Sequence, residues 1–499
     1  MKFTYKDIET ATSGKWHNYS GYNTNVERGF KPLSLNEFKP LSLNEFKPLS
    51  LNEFKPVSTI STDTRADNKS ALFLALSGVN FDAHSFLKEA VDSGAVALCL
   101  EEGRYERNKI PSHIPILEVQ DTLKAYQDIA NFHRKRLKEL TLIAITGSNG
   151  KTSTKDILHN ILSSEFGEES VYTTKANTNN LVGVPQNILN LTDKHRFAVI
   201  ELGSNHPGEI RQLTEIANPD IAVITSIGPA HLEHFKDING VIKEKTSIFT
   251  AYNNPQKGIA IIPEEHRGVL PKNNNYQIIT FGKSEDADIC WKHLNSAVEK
   301  SEFELHWKAD NIKEKVLWNI PGIHQLSNAA AAATVATAVG IAPKNISHAL
   351  HNSKISGMRM RINKRNDITW INDAYNANPT STKAGIDWLH EIAKDALPSI
   401  YKRLFVILGD MLELGENAPG IHKEIIEYAV NKLPCSKVFG VGTIMHDTIK
   451  HAVEMDFKPI STFQNSEEAA SFFKDELKAG DIVYLKGSRG IALEKIEKK

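Results

Sequence analysis

The chain reads as an α/β protein built from three consecutive α/β units. Short apolar runs bounded by turn residues alternate with stretches whose apolar positions recur at helical spacing, the pattern of mostly parallel sheets covered by helices. One strand-like run, "LTLIAIT", passes straight into the glycine turn of "TGSNGKTSTKD" and a helical stretch, as a phosphate loop does. A length of 499 residues exceeds one ordinary domain and suggests about three at ~150 residues each.

The composition narrows the class. Lys+Arg 59 against Asp+Glu 60 gives no global basic field for nucleic acid. Hydrophobic content of 40% is enough for packed cores. Cys99, Cys290 and Cys435 are far apart and form no C-x-x-C pair, so a reducing compartment fits best. The N-terminus has no apolar signal-like core, and "NAAAAATVATAVGIA" is too short and too rich in Ala and Thr for a good membrane span. A cytoplasmic, monomeric protein without a membrane span is expected.

The first unit is expected over 1–119. "VSTISTDTR", "ALFLALSG", "VALCLEE" and "IPILEV" read as strands, and "HSFLKEAVDSGA" as a helix ending at glycine. It contains "FKPLSLNE" three times without a change, from Phe30 to Glu53, with a fourth start at Phe54-Lys55-Pro56. A proline in each copy blocks a continuous helix. Identity between the copies favours a tandem duplication of coding DNA over a short binding array, in a tolerant surface loop, here 30–56, remote from the chemistry.

A central unit is expected over 120–342. The helix "DTLKAYQDIANFHRKRLK" leads into the phosphate loop. "FAVIELG", "IAVITSIG", "IAIIP" and "QIITFG" are strands, a polar β-like run extends to "VLWNIPG", and "SNAAAAATVATAVG" is a helix ending at Gly340. A third unit, 343–499, follows the proline of "IAPKN". Its strands "ITWIND", "LFVILGD", "KVFGVG" and "DIVYLKG" make an open sheet of Rossmann type.

In the loop, backbone amides from Gly147 through Asn149 to Gly150 can cradle phosphate oxygens, and the helix N-terminus adds positive potential. Lys151 can neutralise phosphates, and the Thr152 hydroxyl, followed by Ser153, can bind a magnesium ion. Glu201 ends an apolar strand, where ligands bind in parallel sheets. By itself a strand-end glutamate is more often solvated, a lone His231 structural, and a helical Lys245 an exposed charge.

"TGSNGKTST" resembles the loop of the Mur ligase family, which uses ATP to join amino acids or dipeptides to a cell-wall precursor. Folylpolyglutamate synthases share much of that loop. Asn177-x-Asn179-Asn180-x-x-Gly183-Val184-Pro185, Asp373-Ala374-Tyr375-Asn376-Ala377-Asn378-Pro379, "LGDMLELGE" and "KGSR" resemble the branch that adds D-alanyl-D-alanine. The likeness runs from about Val57 to the end, outside the repeats.

The resemblance implies roles. The first domain would bind UDP-N-acetylmuramoyl-tripeptide through Thr64 and Arg65 of "STDTR". The central domain would bind ATP, with Lys151 catalytic, Asn328 of "IHQLSN" on adenine, and Thr152, Glu201 and His231 on Mg²⁺. Gln325 stands where the family usually has asparagine. Lys245 of "KEKTSIF" would be carbamylated and help hold a second Mg²⁺, with Lys243 the competing candidate. Arg359 would reach the ATP phosphates from the ligase domain and Asp373 the ribose. Asn177, Asn179, Asn180, Tyr375 and Asn376 would line the substrate chain. The reaction implied is ATP-dependent ligation of D-Ala-D-Ala to the UDP-linked tripeptide through an acyl phosphate, giving a pentapeptide precursor of peptidoglycan.

Overall fold

The computed structural model describes residues 2–17, 54, 56–79, 81–250, 258–270, 276–395, 403–434, 436–453 and 461–498. The three complete repeats and Cys435 lie outside the described residues. The chain is α/β with three main sheets, as the alternation of its sequence requires.

Two compact units form, and the first comprises residues 1–138 together with 181–192. The five strands of its main sheet are β1 (Lys15–His17), β2 (Thr59–Ser61), β3 (Ala71–Leu74), β4 (Ala97–Glu101) and β5 (Ile116–Val119), in the order β1-β5-β4-β3-β2. The unit continues past Val119 through the helix Thr122–Arg136, whose N-cap Asp121 accepts from Lys124 N. It also takes in the helix Gly183–Leu189. Val184 and Ile188, four residues apart, are fully buried. The Gln127 side chain donates to Leu181 O at 3.1 Å and the His133 ring meets Leu191 O at 2.9 Å.

The second unit holds the other two sheets. The larger contains β6 (Thr141–Thr146), β7 (Val171–Thr173), β8 (Phe197–Glu201), β9 (Ile221–Ile224), β10 (Ile259–Pro263), β11 (Gln277–Gly282), β12 (Ile289–Ser296), β13 (Ser301–Trp307) and β14 (Ile312–Trp318). Their order is β14-β13-β12-β11-β10-β9-β6-β8-β7. β12 to β14 pair antiparallel, while the remaining ladders are parallel. The chain runs from β6 outward to β7, back to β8, then across to β9. That change of direction leaves a crevice beyond the carboxyl ends of β6, β8 and β9, where α/β sheets bind ligands.

Helix α1 (Lys151–Phe166) follows β6, and α2 (His324–Ala338) packs against it. Ala329 to Ala333 are all fully buried. Small side chains on every face let this helix approach both α1 and the sheet closely.

The third sheet contains β15 (Arg361–Arg365), β16 (Ile368–Asn372), β17 (Leu404–Gly409), β18 (Lys437–Val441), β19 (Ser461–Phe463) and β20 (Ile482–Lys486). The order is β15-β16-β20-β17-β18-β19, parallel except for β15. Asp410, just after β17, caps the helix Thr443–Val453 by accepting from Met445 N at 2.7 Å and Ile444 N at 3.1 Å.

Candidate active site

The loop after β6 needs its glycines. Gly147 has φ +150° and Gly150 φ +84°, backbone that L-side chains rarely adopt. A Cβ on Gly147 would collide with Thr225 Oγ1, and one on Gly150 with Asn328 Oδ1. Ser148 Oγ donates to Gly228 O at 2.8 Å and Asn149 N to Ser226 Oγ at 2.9 Å, which ties the loop to the segment after β9.

Lys151 opens α1, and its ammonium folds back onto Gly147 O at 2.7 Å. Burial pushes its pKa below the ordinary lysine value. Glu201 opposes the shift, and the Arg359 guanidinium adds to it. Thr152 Oγ1 donates to Glu201 Oε2 at 2.9 Å, Asn179 Nδ2 to Glu201 Oε1 at 3.0 Å, and Glu201 N to Thr174 Oγ1 at 2.8 Å. Thr152 and Glu201 thus stand side by side because β8 is the parallel neighbour of β6.

The third sheet supplies the opposite wall. Arg359 precedes β15 rather than lying on it, followed by Met360 at φ +54°. Its guanidinium lies 3.6 Å from the Tyr375 ring centroid and donates to Thr152 Oγ1 at 3.1 Å. Tyr375 OH donates to Asn177 Oδ1. Asp373 follows β16, and its Oδ2 pairs with Lys486 Nζ at 2.8 Å on the neighbouring β20. Met360 N donates to Asp373 Oδ1 at 3.2 Å and Tyr484 OH to Oδ2 at 3.3 Å.

These groups line one cleft of ≈ 640 Å³. It contains Asn149, Gly150, Lys151, Thr152, Ser153, Asn177, Asn179, Asn180, Glu201, His231, Asn328, Arg359, Asp373, Tyr375 and Asn376. Gln325, the departure from the family pattern, accepts from Asn328 Nδ2 at 2.8 Å and so holds the amide in place. Thr64 and Arg65 belong to the first unit, where Arg65 pairs with Asp63 at 2.8 Å and holds that carboxyl down to about 2.

Two candidates have other partners. His231, at φ +50°, has Nδ1 2.7 Å from Glu413 Oε2. Lys245 is buried on the helix Ile238–Thr246 and donates to Ser204 Oγ at 3.0 Å, and Ser204 in turn lines the cleft. Its pKa is lowered to about 7, chiefly by burial and then by the Lys151 charge, with Glu244 and Glu209 opposing. Lys243 is not among the buried side chains of that helix. Among the described residues, no three His, Cys, Asp or Glu side chains converge as a metal-binding group.

Sequence reading missed several cleft residues. Lys486 and Asn378 lay inside quoted motifs, but their partners are more than 100 positions away. His324 faces the cleft with Nδ1 unpartnered, and burial depresses its pKa to about 4.

Residues 145–336 match the model of the Mur ligase middle domain and 358–489 that of the Mur ligase glutamate ligase domain. A UDP-N-acetylmuramoyl-tripeptide–D-alanyl-D-alanine ligase of Buchnera aphidicola subsp. Baizongia pistaciae is 36% identical over 88% of this chain and 91% of the relative. The chain belongs to the Mur ligase family. This Mur ligase is similar to a crystal structure of MurF from Acinetobacter baumannii, at TM-score 0.81 and 28% identity, over 100% of this chain and 98% of that one. A MurF ligase of Thermotoga maritima in complex with ADP is similar at TM-score 0.75 and 26% identity, over 89% and 96%. The Mur ligase middle and ligase domains therefore correspond to the two walls of the cleft.

Proposed function

We propose that the chain is an ATP-dependent ligase that joins D-Ala-D-Ala to UDP-N-acetylmuramoyl-tripeptide and so makes the pentapeptide precursor of peptidoglycan. The carrying observation is that a phosphate loop and strand-end carboxylate face Arg359 and the Asp373–Lys486 pair across one cleft. The relatives' names supply the substrates.

ATP converts a poor acylating group into a good one. The terminal carboxylate of the tripeptide attacks the γ-phosphorus, a new P–O bond forms, and ADP leaves. The amine of D-Ala-D-Ala then attacks the acyl carbon and loses a proton, and inorganic phosphate departs. The protein's part is positioning and charge neutralisation. Loop amides and Lys151 would hold the phosphates once Lys151 swings off Gly147 O. Arg359 would add charge from the other wall. Asn328, held by Gln325, would read the base, and Asp373 the ribose. Asn177, Asn179, Asn180, Tyr375 and Asn376 would guide the peptide end, and Thr64 and Arg65 the uridine nucleotide.

The Thr152 hydroxyl and Glu201 carboxylate are adjacent hard oxygen donors, which suits Mg²⁺ held by one carboxylate plus substrate phosphates. The ion would neutralise phosphate charge, with His231 joining after leaving Glu413. Lys245, with a pKa near 7, offers the neutral amine that carbamylation by CO₂ requires, and the carbamate could help hold a second Mg²⁺. A monomeric cytoplasmic enzyme fits; among the described residues no helix is long and apolar enough to cross a membrane.

The test is ADP release with Mg-ATP, UDP-N-acetylmuramoyl-tripeptide and D-Ala-D-Ala, each omitted in turn, with product mass followed in parallel. Release that needs both substrates, with pentapeptide formed, is expected. Activity with a free amino acid on the dipeptide precursor would reassign the chain to a sister ligase.

A further inference from the structure

Asn149 and Asn378 meet across the cleft. Asn378 Nδ2 donates to Asn149 Oδ1 at 2.6 Å, and Asn149 Nδ2 approaches Asn378 Oδ1 at 3.4 Å. A carboxamide pair is self-complementary, because each partner carries one donor edge and one acceptor edge. The second contact is long for a local reason. Asn378 Oδ1 already accepts from Ser381 N at 2.9 Å, while Asn378 N donates to Ser381 Oγ at 3.2 Å. Asn378 is thus also the cap of the helix Pro379–Asp395, with Pro379 in the first turn.

The backbone of Asn149 is fixed from the other side. Thr225 Oγ1 donates to its carbonyl at 2.5 Å and Ser226 Oγ at 3.1 Å. The loop's backbone is therefore set by the central sheet, while its one long polar side chain is set by the third. We infer that Asn378 is a positioning residue that couples seating of the ligase domain to the shape of the phosphate loop. The inference rests on the cleft being the nucleotide site. With the amide pair formed, Asn149 is aimed and the loop is ready for phosphate. Without it, that ordering falls to the nucleotide, which then binds more weakly.

Serine or aspartate at 378 still caps the helix. Aspartate has no donor for Asn149 Oδ1, and the serine hydroxyl, set closer to its backbone, falls short of it. The experiment titrates a non-hydrolysable ATP analogue with Mg²⁺ into the full chain and into Asn378→Ser, Asn378→Asp, Asn149→Ala and the double variant Asn149→Ala/Asn378→Ser. Melting curves are recorded on the same samples. The two 378 variants are expected to melt like the unaltered chain and to bind about tenfold more weakly, the size of one or two neutral hydrogen bonds. The double variant is expected to bind no more weakly than Asn149→Ala alone, because the two side chains act as one unit.

Unchanged affinity in both 378 variants, or losses that multiply in the double variant, would overturn the inference. Should the serine variant melt early, the aspartate variant carries the same comparison. No binding by the unaltered chain would instead overturn the nucleotide reading on which the inference stands.

Discussion

His324 and Lys245 are bases that burial moves away from their charged forms, and each carries its own pH signature. His324 has a folded pKa of about 4 against an ordinary 6.5. Between those values the unfolded chain takes up a proton that the folded one refuses. Stability therefore falls as pH drops through that window, by about 3 kcal/mol at most, and no further below it. His324→Gln should lose less stability than the unaltered chain between pH 7 and pH 4.5, read as urea midpoints. Equal losses would mean that His324 is already charged in the fold. Lys245, at about 7 against an ordinary 10.5, becomes neutral as pH rises through neutrality. Turnover in CO₂-equilibrated buffer should therefore climb through about pH 7 to a plateau. Lys245→Arg, which cannot become neutral or be carbamylated, should stay inactive across the range. A flat profile from pH 6 to pH 9 in the unaltered enzyme would separate Lys245 from the chemistry.

The phosphate loop and α1 form an element in which backbone and function cannot be separated. Gly150→Ala must hold a Cβ at φ +84°, at a cost of about 1–2 kcal/mol, and must also push away the Asn328 amide. Lower thermal stability together with lost nucleotide binding is expected; retained binding would show that Asn328 does not hold the base. This element was legible in the sequence because its signals are local: an apolar run, two glycines and a lysine in a fixed order. The strand-end position of Glu201 was legible for the same reason. The Asp373–Lys486 pair was not, because it arises only from β16 and β20 lying next to each other in the third sheet. His231 was found by resemblance, yet its partner Glu413 comes from a loop of that same sheet's domain. The helix Gly183–Leu189 hid behind an Asn-rich lead-in and Pro185, although the spacing of Val184 and Ile188 was there to read.

Arg359 joins the two walls of the cleft, reaching from the start of the ligase domain to Thr152. Arg359→Ala should lower kcat by about 100-fold, as loss of a transition-state charge partner does. The melting temperature should hardly move, because the guanidinium is not part of a core. An unchanged kcat would confine Arg359 to stacking on Tyr375. The path of the chain between the two compact units carries a different consequence. The first unit owns residues 181–192, so the polypeptide passes from one unit to the other at 138/139, 180/181 and 192/193. A protease that cuts at 138/139 separates residues 1–138 covalently from the rest, yet leaves part of their own unit, 181–192, on the other fragment. Trimming the gene at Lys138 would discard a helix whose Val184 and Ile188 are wholly buried, and leave the matching apolar surface bare to water. The amino-terminal unit is therefore not a detachable module: shuffling it between ligases requires exchanging two separate stretches of sequence at once.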